Sequence, residues 1–454
     1  MKRFTLVALV AALLFGVATM ASATELKVRG HLDVYGMWSA NLIDFENDEA
    51  DGDNYMTTQR MRTFFEFVAN ENLKAVLGLE INNVWGSNWD TEARGAQWGT
   101  DSRGNIRVKH AYLDFTLPDT EINVKAGLQY VALPSVFGHP VFEDDAAALI
   151  VSAPINDMFG LAVGYSRGYD QWRNDQNRPA YAHHSDNVDM GFLVAPVTMD
   201  GWSVAPYFAY ARVGQDADPS PTGGQSITTT AFDVPGNIVD PINIWVLGAH
   251  ATLTMFDPLT FAADLIYGEG RTKYEDAGSK HTYKTRGWYA ALAASYKFDF
   301  MTATLFGTYA SGGQNKENRD RFLPTLAEGW GLTPYLGGVR AFGTAHDSWA
   351  TDTLGVGSDG TGMWTLGLQL ADISFVDNLS HKLVLAFAQG TSHKDVYTDF
   401  NRKSNAWEAY MVNKYQIYEN LAAINELGYF HPNLKYVSGE DASYFGTIGF
   451  KYTF

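Results

Sequence analysis

Between residues 25 and 38 the even positions are apolar or small: Leu26, Val28, Gly30, Leu32, Val34, Gly36 and Trp38. The odd positions hold Glu25, Lys27, Arg29, His31, Asp33 and Tyr35. Successive side chains of a β-strand point to opposite faces, so this stretch predicts a strand with oil on one side and water on the other. The same split returns later. Leu73, Ala75, Leu77, Leu79 and Ile81 oppose Lys74, Gly78, Glu80 and Asn82; Ile122, Val124, Ala126, Leu128 and Tyr130 oppose Asn123, Lys125, Gly127 and Gln129; Leu259, Phe261, Ala263, Leu265 and Tyr267 oppose Thr260, Asp264 and Gly268. Each run is about 9 to 12 residues long, the length a tilted strand needs to cross a bilayer. Several close on an aromatic, as an interfacial girdle requires.

The connections between these runs alternate. Short polar turns fall at 70–72, 118–120, 154–157, 198–201, 256–258, near Asp299, at 372–380 and at 418–420, while longer Gly-, Asp-, Asn- and Pro-rich stretches occupy 39–59, 83–104, 167–186, 214–240 and 311–360. Eight turns and nine loops predict eighteen strands with both termini on the turn side. A weak hairpin across 406–429 makes sixteen the competing count. An open sheet in hydrocarbon would leave edge groups unpaired at several kcal/mol each, so a spanning all-β chain must close. The expected fold is an all-β, closed antiparallel transmembrane barrel with short periplasmic turns and long extracellular loops. At sixteen or more strands side chains no longer fill the interior, which predicts an aqueous channel. With the first strand beginning at Glu25, no globular plug domain is expected ahead of it. The 311–360 stretch is long enough to contain a small helix or an extra hairpin.

Composition agrees with this picture and sets the compartment. Lys2 and Arg3 precede an apolar run over 4–18 and then Ala21-Ser22-Ala23, the pattern of a signal peptide cleaved after Ala23, which leaves 24–454 as the barrel domain. Aromatics are 14%, yet mean hydropathy is −0.18, as expected where only one face of each strand meets lipid. The competing class is a soluble secreted β-protein. Cysteine is absent, so loops are not stapled by disulfides. A formal charge of −18 argues against nucleic acid as a partner. Lipid and lipopolysaccharide are the expected surroundings.

The final residues, S-Y-F-G-T-I-G-F-K-Y-T-F, put Tyr444, Ile448, Phe450, Tyr452 and Phe454 on one face. This resembles the C-terminal assembly signal of bacterial outer-membrane proteins, and implies recognition by the barrel-assembly machinery through Phe450, Tyr452 and Phe454. With V-R-G-H-L-D-V-Y-G-M-W (28–38), V-K-H-A-Y-L-D-F (108–115) and K-Y-Q-I-Y-E-N-L (414–421), the chain resembles the homotrimeric general porins of sulfate-reducing Gram-negative bacteria. That resemblance implies an outer-membrane location, a homotrimer and passive diffusion of small hydrophilic solutes and ions. A channel selective for sugars or small organic acids is the alternative. No serine, histidine or carboxylate spacing singles out an enzyme, and no cofactor or metal is expected.

In general porins the loop after the fifth strand folds inward and narrows the pore. Here that loop is expected at 131–146, with the acidic run Glu143, Asp144 and Asp145. Arg60, Arg62, Lys74 and Lys125 fall on the inferred lumen face, whereas the parity of Arg107 and Lys109 assigns them to lipid near the rim. A carboxylate loop facing this basic wall would set a field across the constriction and sort ions by charge. Weaker signals are the acids of 44–53, His183-His184, the GxGxxG at 355–360 and loop tryptophans such as Trp85, Trp89, Trp98 and Trp172. These read as solvated or packed loop residues, since the ligand spacing or strand–helix context for other roles is lacking.

Overall fold

The computed structural model describes residues 24–41, 54–86, 95–96, 98, 106–170, 187–215, 217, 237–314, 319–344, 354–356, 361–395, 400–434 and 440–454. Eighteen long strands form one closed sheet: β1 Glu25–Ala40, β2 Asn54–Asn70, β3 Leu73–Trp85, β4 Ile106–Thr116, β5 Asn123–Ala132, β6 Glu143–Pro154, β7 Gly160–Asp170, β8 Asn187–Val194, β9 Trp202–Val213, β10 Ile242–Phe256, β11 Leu259–Asp276, β12 Ser279–Lys297, β13 Thr302–Ala310, β14 Met363–Val376, β15 Leu379–Gly390, β16 Asn405–Tyr418, β17 Leu421–Asn433 and β18 Ser443–Thr453. Each pairs antiparallel with its chain neighbours, and β18 returns to pair with β1 from His31↔Thr453 to Ala40↔Tyr444. The final backbone groups complete the seam: Gly30 and Phe454 exchange N–H···O bonds of 2.8 and 3.0 Å.

Strand count follows the longer alternative. The doubtful hairpin is a full pair, β16 with β17, in register from Asn405↔Asn433 to Tyr418↔Leu421. The rhythm of turns and loops has one exception. β11 and β12 run 18 and 19 residues and meet in a two-residue turn, Ala277-Gly278, both with positive φ. Such a turn matches the right-handed twist of its strands, so the hairpin stands beyond the rim as strand rather than loop.

The alternation read from the sequence is the inside–outside division of the wall. Leu26, Val28 and Trp38 are exposed outward on β1, whereas Asp33, Tyr35 and Met37 are buried inward. The outward band includes Leu247, Leu265, Leu292, Leu305, Leu366, Leu427 and Ile448, all among the exposed residues. In water this girdle would be an association surface; in hydrocarbon it costs nothing. Leu292→Arg, in the middle of this band, should therefore destabilise the folded barrel in bilayers by about 2–4 kcal/mol. Equilibrium refolding into lipid vesicles in urea measures it, and an unchanged midpoint would place Leu292 away from lipid.

Candidate functional site

An eighteen-stranded wall encloses more space than its own side chains fill. Among the described residues, two long segments that are not part of the wall enter that space. The first is 133–142, between β5 and β6. It reaches toward β9 and β11, where Val136 N–H donates to Asp264 Oδ2 (2.8 Å) and the ring of Phe137 meets Phe306 of β13 at 5.6 Å. At its centre His139 is fully buried. His139 Nδ1 accepts from the N–H groups of Val141 and Phe142, both at 3.1 Å, and Nε2 lies 2.7 Å from the Tyr207 hydroxyl. An Nδ1 that accepts two bonds leaves the ring proton on Nε2, so Nε2–H donates to Tyr207.

The second segment is 319–344, and it crosses the barrel. Arg319–Asp320 pairs in parallel beside β12, and Thr285 Oγ1 donates to Phe322 O (2.6 Å). Gly287 of β12 admits the chain here, because a Cβ at that position would stand 2.1 Å from Leu323 N. Residues 326–331 then run along the first segment: Leu326 N–H to Val141 O (2.9 Å), Gly329 N–H to His139 O (3.0 Å) and Gly331 N–H to Phe137 O (2.9 Å). Beyond them the strap reaches the opposite wall. Thr333 Oγ1 and Tyr335 N–H donate to Glu408 of β16, the latter at 3.3 Å, and Ala341 N–H donates to Glu426 Oε1 of β17 at 2.7 Å. Tyr335 stacks on Phe430 with centroids at 4.7 Å, and Phe342 on Tyr35 at 4.3 Å. A two-residue hairpin, Val339–Arg340 with Gly343–Thr344, lies at the end of the strap.

A backbone N–H buried away from water needs an acceptor, and a carboxylate is a strong one. Asp264, Glu408 and Glu426 are each almost wholly buried, and each receives at least one strap or loop N–H. Glu426 also accepts from Tyr410 (2.5 Å) and Thr447 (2.9 Å). These carboxylates are the anchors of the constriction. They were not among the sequence candidates. The available signal was a lone acid at inward parity on an otherwise apolar strand face, as Glu408 is between Ala406 and Tyr410.

The acidic run does not lie within the loop: Glu143, Asp144 and Asp145 open β6, opposite Ala132, Val131 and Tyr130. β5 and β6 continue pairing past the point where turn-forming composition suggested a loop, because the pairing satisfies their backbone groups. Glu143 binds the Tyr130 hydroxyl and, through Oε2, His139 N–H at 2.7 Å. Asp145 binds Lys109 and lies 3.0 Å from His110 Nε2. Hence Lys109 faces a wall carboxylate rather than lipid. The cause is a bulge in β4 opposite Gly78, which shifts register so that Arg107 stands opposite the inward Glu80.

Arg60 and Arg62 are inward on β2, as their parity predicts. Arg60 is only 3% exposed and donates to Asn82 Oδ1 at 3.2 Å, while Arg62 meets Glu80 at 2.5 Å. Lys74 approaches Glu66 (3.6 Å) and Asp114 (3.8 Å), and Lys125 approaches Asp114 (3.9 Å). The acidic run pairs with Lys109 and His110, whereas Arg62, Lys74 and Lys125 meet carboxylates on adjacent strands. The cations nevertheless stand forward of the acids. Side-chain exposure is 25% for Arg62 against 9% for Glu80, 34% and 43% for Lys74 and Lys125 against 14% for Asp114, and 28% for Lys451 against 1% for Asp33. In the pairs of Arg62, Lys74, Lys125 and Lys451 the lumen face therefore presents its positive ends to water.

Residues 44–53, Trp89, Trp172, His183-His184 and 357–360 lie outside the described residues, as does the expected signal peptide. Trp85 is exposed at the rim and donates to Gln59 Oε1 at 3.1 Å. Phe450 and Tyr452 face outward on β18, next to the seam, and the ring of Tyr452 stacks with Phe454 at 5.8 Å. No described group of His, Cys, Asp and Glu side chains has the arrangement of a metal site.

No family model matches the chain, and no curated protein matches it in sequence. Solved structures do match in fold. OpdL of Pseudomonas aeruginosa superposes with a TM-score of 0.53 at 12% identity, covering 95% of this chain and 99% of that one. OprD of Pseudomonas aeruginosa gives 0.51 at 13%, covering 96% of each, and a BenF-like porin from Pseudomonas fluorescens Pf-5 gives 0.51 at 13%, covering 94% and 99%. The fold is that of an outer-membrane porin. With its continuous lipid-facing girdle, this fold places the protein in the outer membrane of a Gram-negative cell.

His139 gives a pH prediction outside the spanning strands. Burial lowers its pKa from 6.5 to about 3. The unfolded chain thus binds a proton below about pH 6.5 that the folded loop refuses, so stability is full above 6.5 and falls as pH drops toward 3. The expected loss is on the order of 1 kcal/mol per pH unit in that window. Thermal unfolding of wild type and His139→Asn across pH 3–8 measures it: the variant should lose this part of the slope, and parallel curves would remove His139 from the account.

Proposed function

We propose that the barrel passes small hydrophilic solutes and ions across the outer membrane by passive diffusion, and that it selects among them, favouring small anions such as organic acids. The observation that carries the selective reading is the combination of a lumen narrowed from two sides and a charged strip whose cations stand forward of their acids. A wide unobstructed pore would filter by size alone; a narrowed one brings each solute within a Debye length of the strip, about 8 Å at physiological salt. Arg62, Lys74 and Lys125 are the proposed contacts, with Arg60 holding the wall behind them. Glu143, Asp144 and Asp145 act as supports of the constriction rather than as its opposing electrode. The overall charge of −18 does not set the preference, because distant charges are screened.

Liposome swelling tests this reading. Entry of a small carboxylate should exceed that of a neutral sugar of equal size and should saturate with concentration; equal, unsaturable rates for both would leave a general pore. The porin resemblance also implies a homotrimer, and the C-terminal signal Phe450, Tyr452 and Phe454 implies insertion by the barrel-assembly machinery. Mass measurement of the detergent-solubilised protein should give three copies, and deletion of Phe454 should impair membrane assembly.

A further inference from the structure

On the outward face of the long β11–β12 hairpin, hydrogen-bond register sets Arg271 directly opposite Lys284 and Lys284 beside Arg319. Three cations thus adjoin across three strands, about 5 Å from one strand to the next. Like charges directly opposite one another destabilise a sheet, so such a row needs an anion. None of the described carboxylates supplies one by ion pairing. Glu269 is occupied by Arg286 at 2.8 Å and Asp240 by Lys273 at 2.6 Å. The contrast lies in the same row on the other side of Asn243, where Asp189 sits between Arg167 and Arg212 and takes the Arg167 guanidinium at 2.9 Å. There the wall provides its own counter-charge.

Height along the strand identifies the missing anion. Arg271 and Lys284 lie four residues beyond Tyr267 and Trp288, whose rings meet at 4.6 Å and continue to Trp245 at 5.4 Å. Those aromatics mark the edge of the hydrocarbon. Four residues are about 13 Å along a tilted strand, or roughly 10 Å in height, which is headgroup depth. β1 begins and β18 ends at the opposite end of the barrel, so this is the outer leaflet. Inward neighbours such as Thr272 and Thr285 are buried, while Arg271 and Arg319 are exposed.

We propose that Arg271, Lys284 and Arg319 form a binding site for the phosphate groups of an outer-leaflet glycolipid, with Trp245, Tyr267 and Trp288 seating the upper ends of its acyl chains. The inference rests on the outer-membrane location but not on what the lumen transports. Guanidinium groups suit this role because their planar donors match phosphate oxygens in pairs.

The test uses the full-length protein in detergent, titrated with bisphosphorylated lipid A and observed by native mass spectrometry. The Arg271→Gln/Lys284→Gln/Arg319→Gln protein should bind lipid A roughly a hundredfold more weakly than wild type, since each cation at a membrane surface contributes about fivefold. Arg271→Lys/Arg319→Lys should retain most of the affinity. Wild type should bind dephosphorylated lipid A as weakly as the triple variant binds the intact lipid, a comparison that needs no altered protein. Equal wild-type affinity for the two lipids, or an unaffected triple variant, would overturn the site. Single-channel conductance of Arg271→Gln/Lys284→Gln, which leaves the strap untouched, should be unchanged, which separates failure of this site from failure of the transport reading.

Discussion

Replacing both strap anchors, Glu408→Ala with Glu426→Ala, should raise single-channel conductance at least about twofold and make the open channel noisier. The strap is not part of the hydrogen-bonded wall. On the β16–β18 side it is held by the bonds of Thr333 and Tyr335 to Glu408, of Ala341 to Glu426 and of Tyr335 to Ser443, together with two ring stacks. A buried hydrogen bond contributes about 0.5–3 kcal/mol, so the double replacement removes a few kcal/mol of attachment. The barrel keeps its backbone pairing from β15 to β18. Glu408→Gln with Glu426→Gln preserves an acceptor oxygen at each position and should leave most of the conductance change absent. Gly287→Val, which collides with Leu323 backbone on the other flank, should act like the alanine pair. A double alanine variant with wild-type conductance and noise would show that the strap does not restrict the ion path.

Neutralising the forward cations, Arg62→Gln with Lys74→Gln and Lys125→Gln, should move the zero-current potential toward cations by on the order of 20 mV in a tenfold KCl gradient, where an ideal one-ion pore spans about 59 mV either way. Removing these charges strips Glu80 and Asp114 of their paired cations in the same strip, while Arg29 at 2.9 Å still holds Glu66, so the local potential moves toward negative. Arg60→Gln alone should shift the potential little, because that guanidinium is buried against Asn82 and serves the wall. The comparison distinguishes lumen charge from wall structure. Equal shifts from Arg60→Gln and from the triple variant would reject the exposure argument.

The wall was readable in the sequence because period-two patterning is local: each strand of Leu292 or Leu26 type declares its lipid face without reference to any other strand. The basic residues Arg60, Arg62, Lys74 and Lys125 were placed inward by the same rule. Three things were not local. Lys109 changed face because one bulge moved its register, and no composition signal marks that residue. The acidic run became the start of β6 because pairing with Tyr130 and Val131 outweighed its loop-like composition. The strap over 319–344 was legible only as a long irregular stretch; its anchors Glu408 and Glu426 lie more than sixty residues further along the chain and make sense only after closure. Buried inward carboxylates on apolar strands are the feature to seek in such a chain.

The central claim is that this closed barrel leaves a selective water path through its lumen. Single-channel recording of the purified wild-type protein in a planar bilayer, under a KCl gradient, tests it most directly. Stable discrete openings with a zero-current potential on the anion side are expected. Absence of any conductance after verified insertion would contradict the pore, and a potential on the cation side would contradict the forward-standing lumen cations.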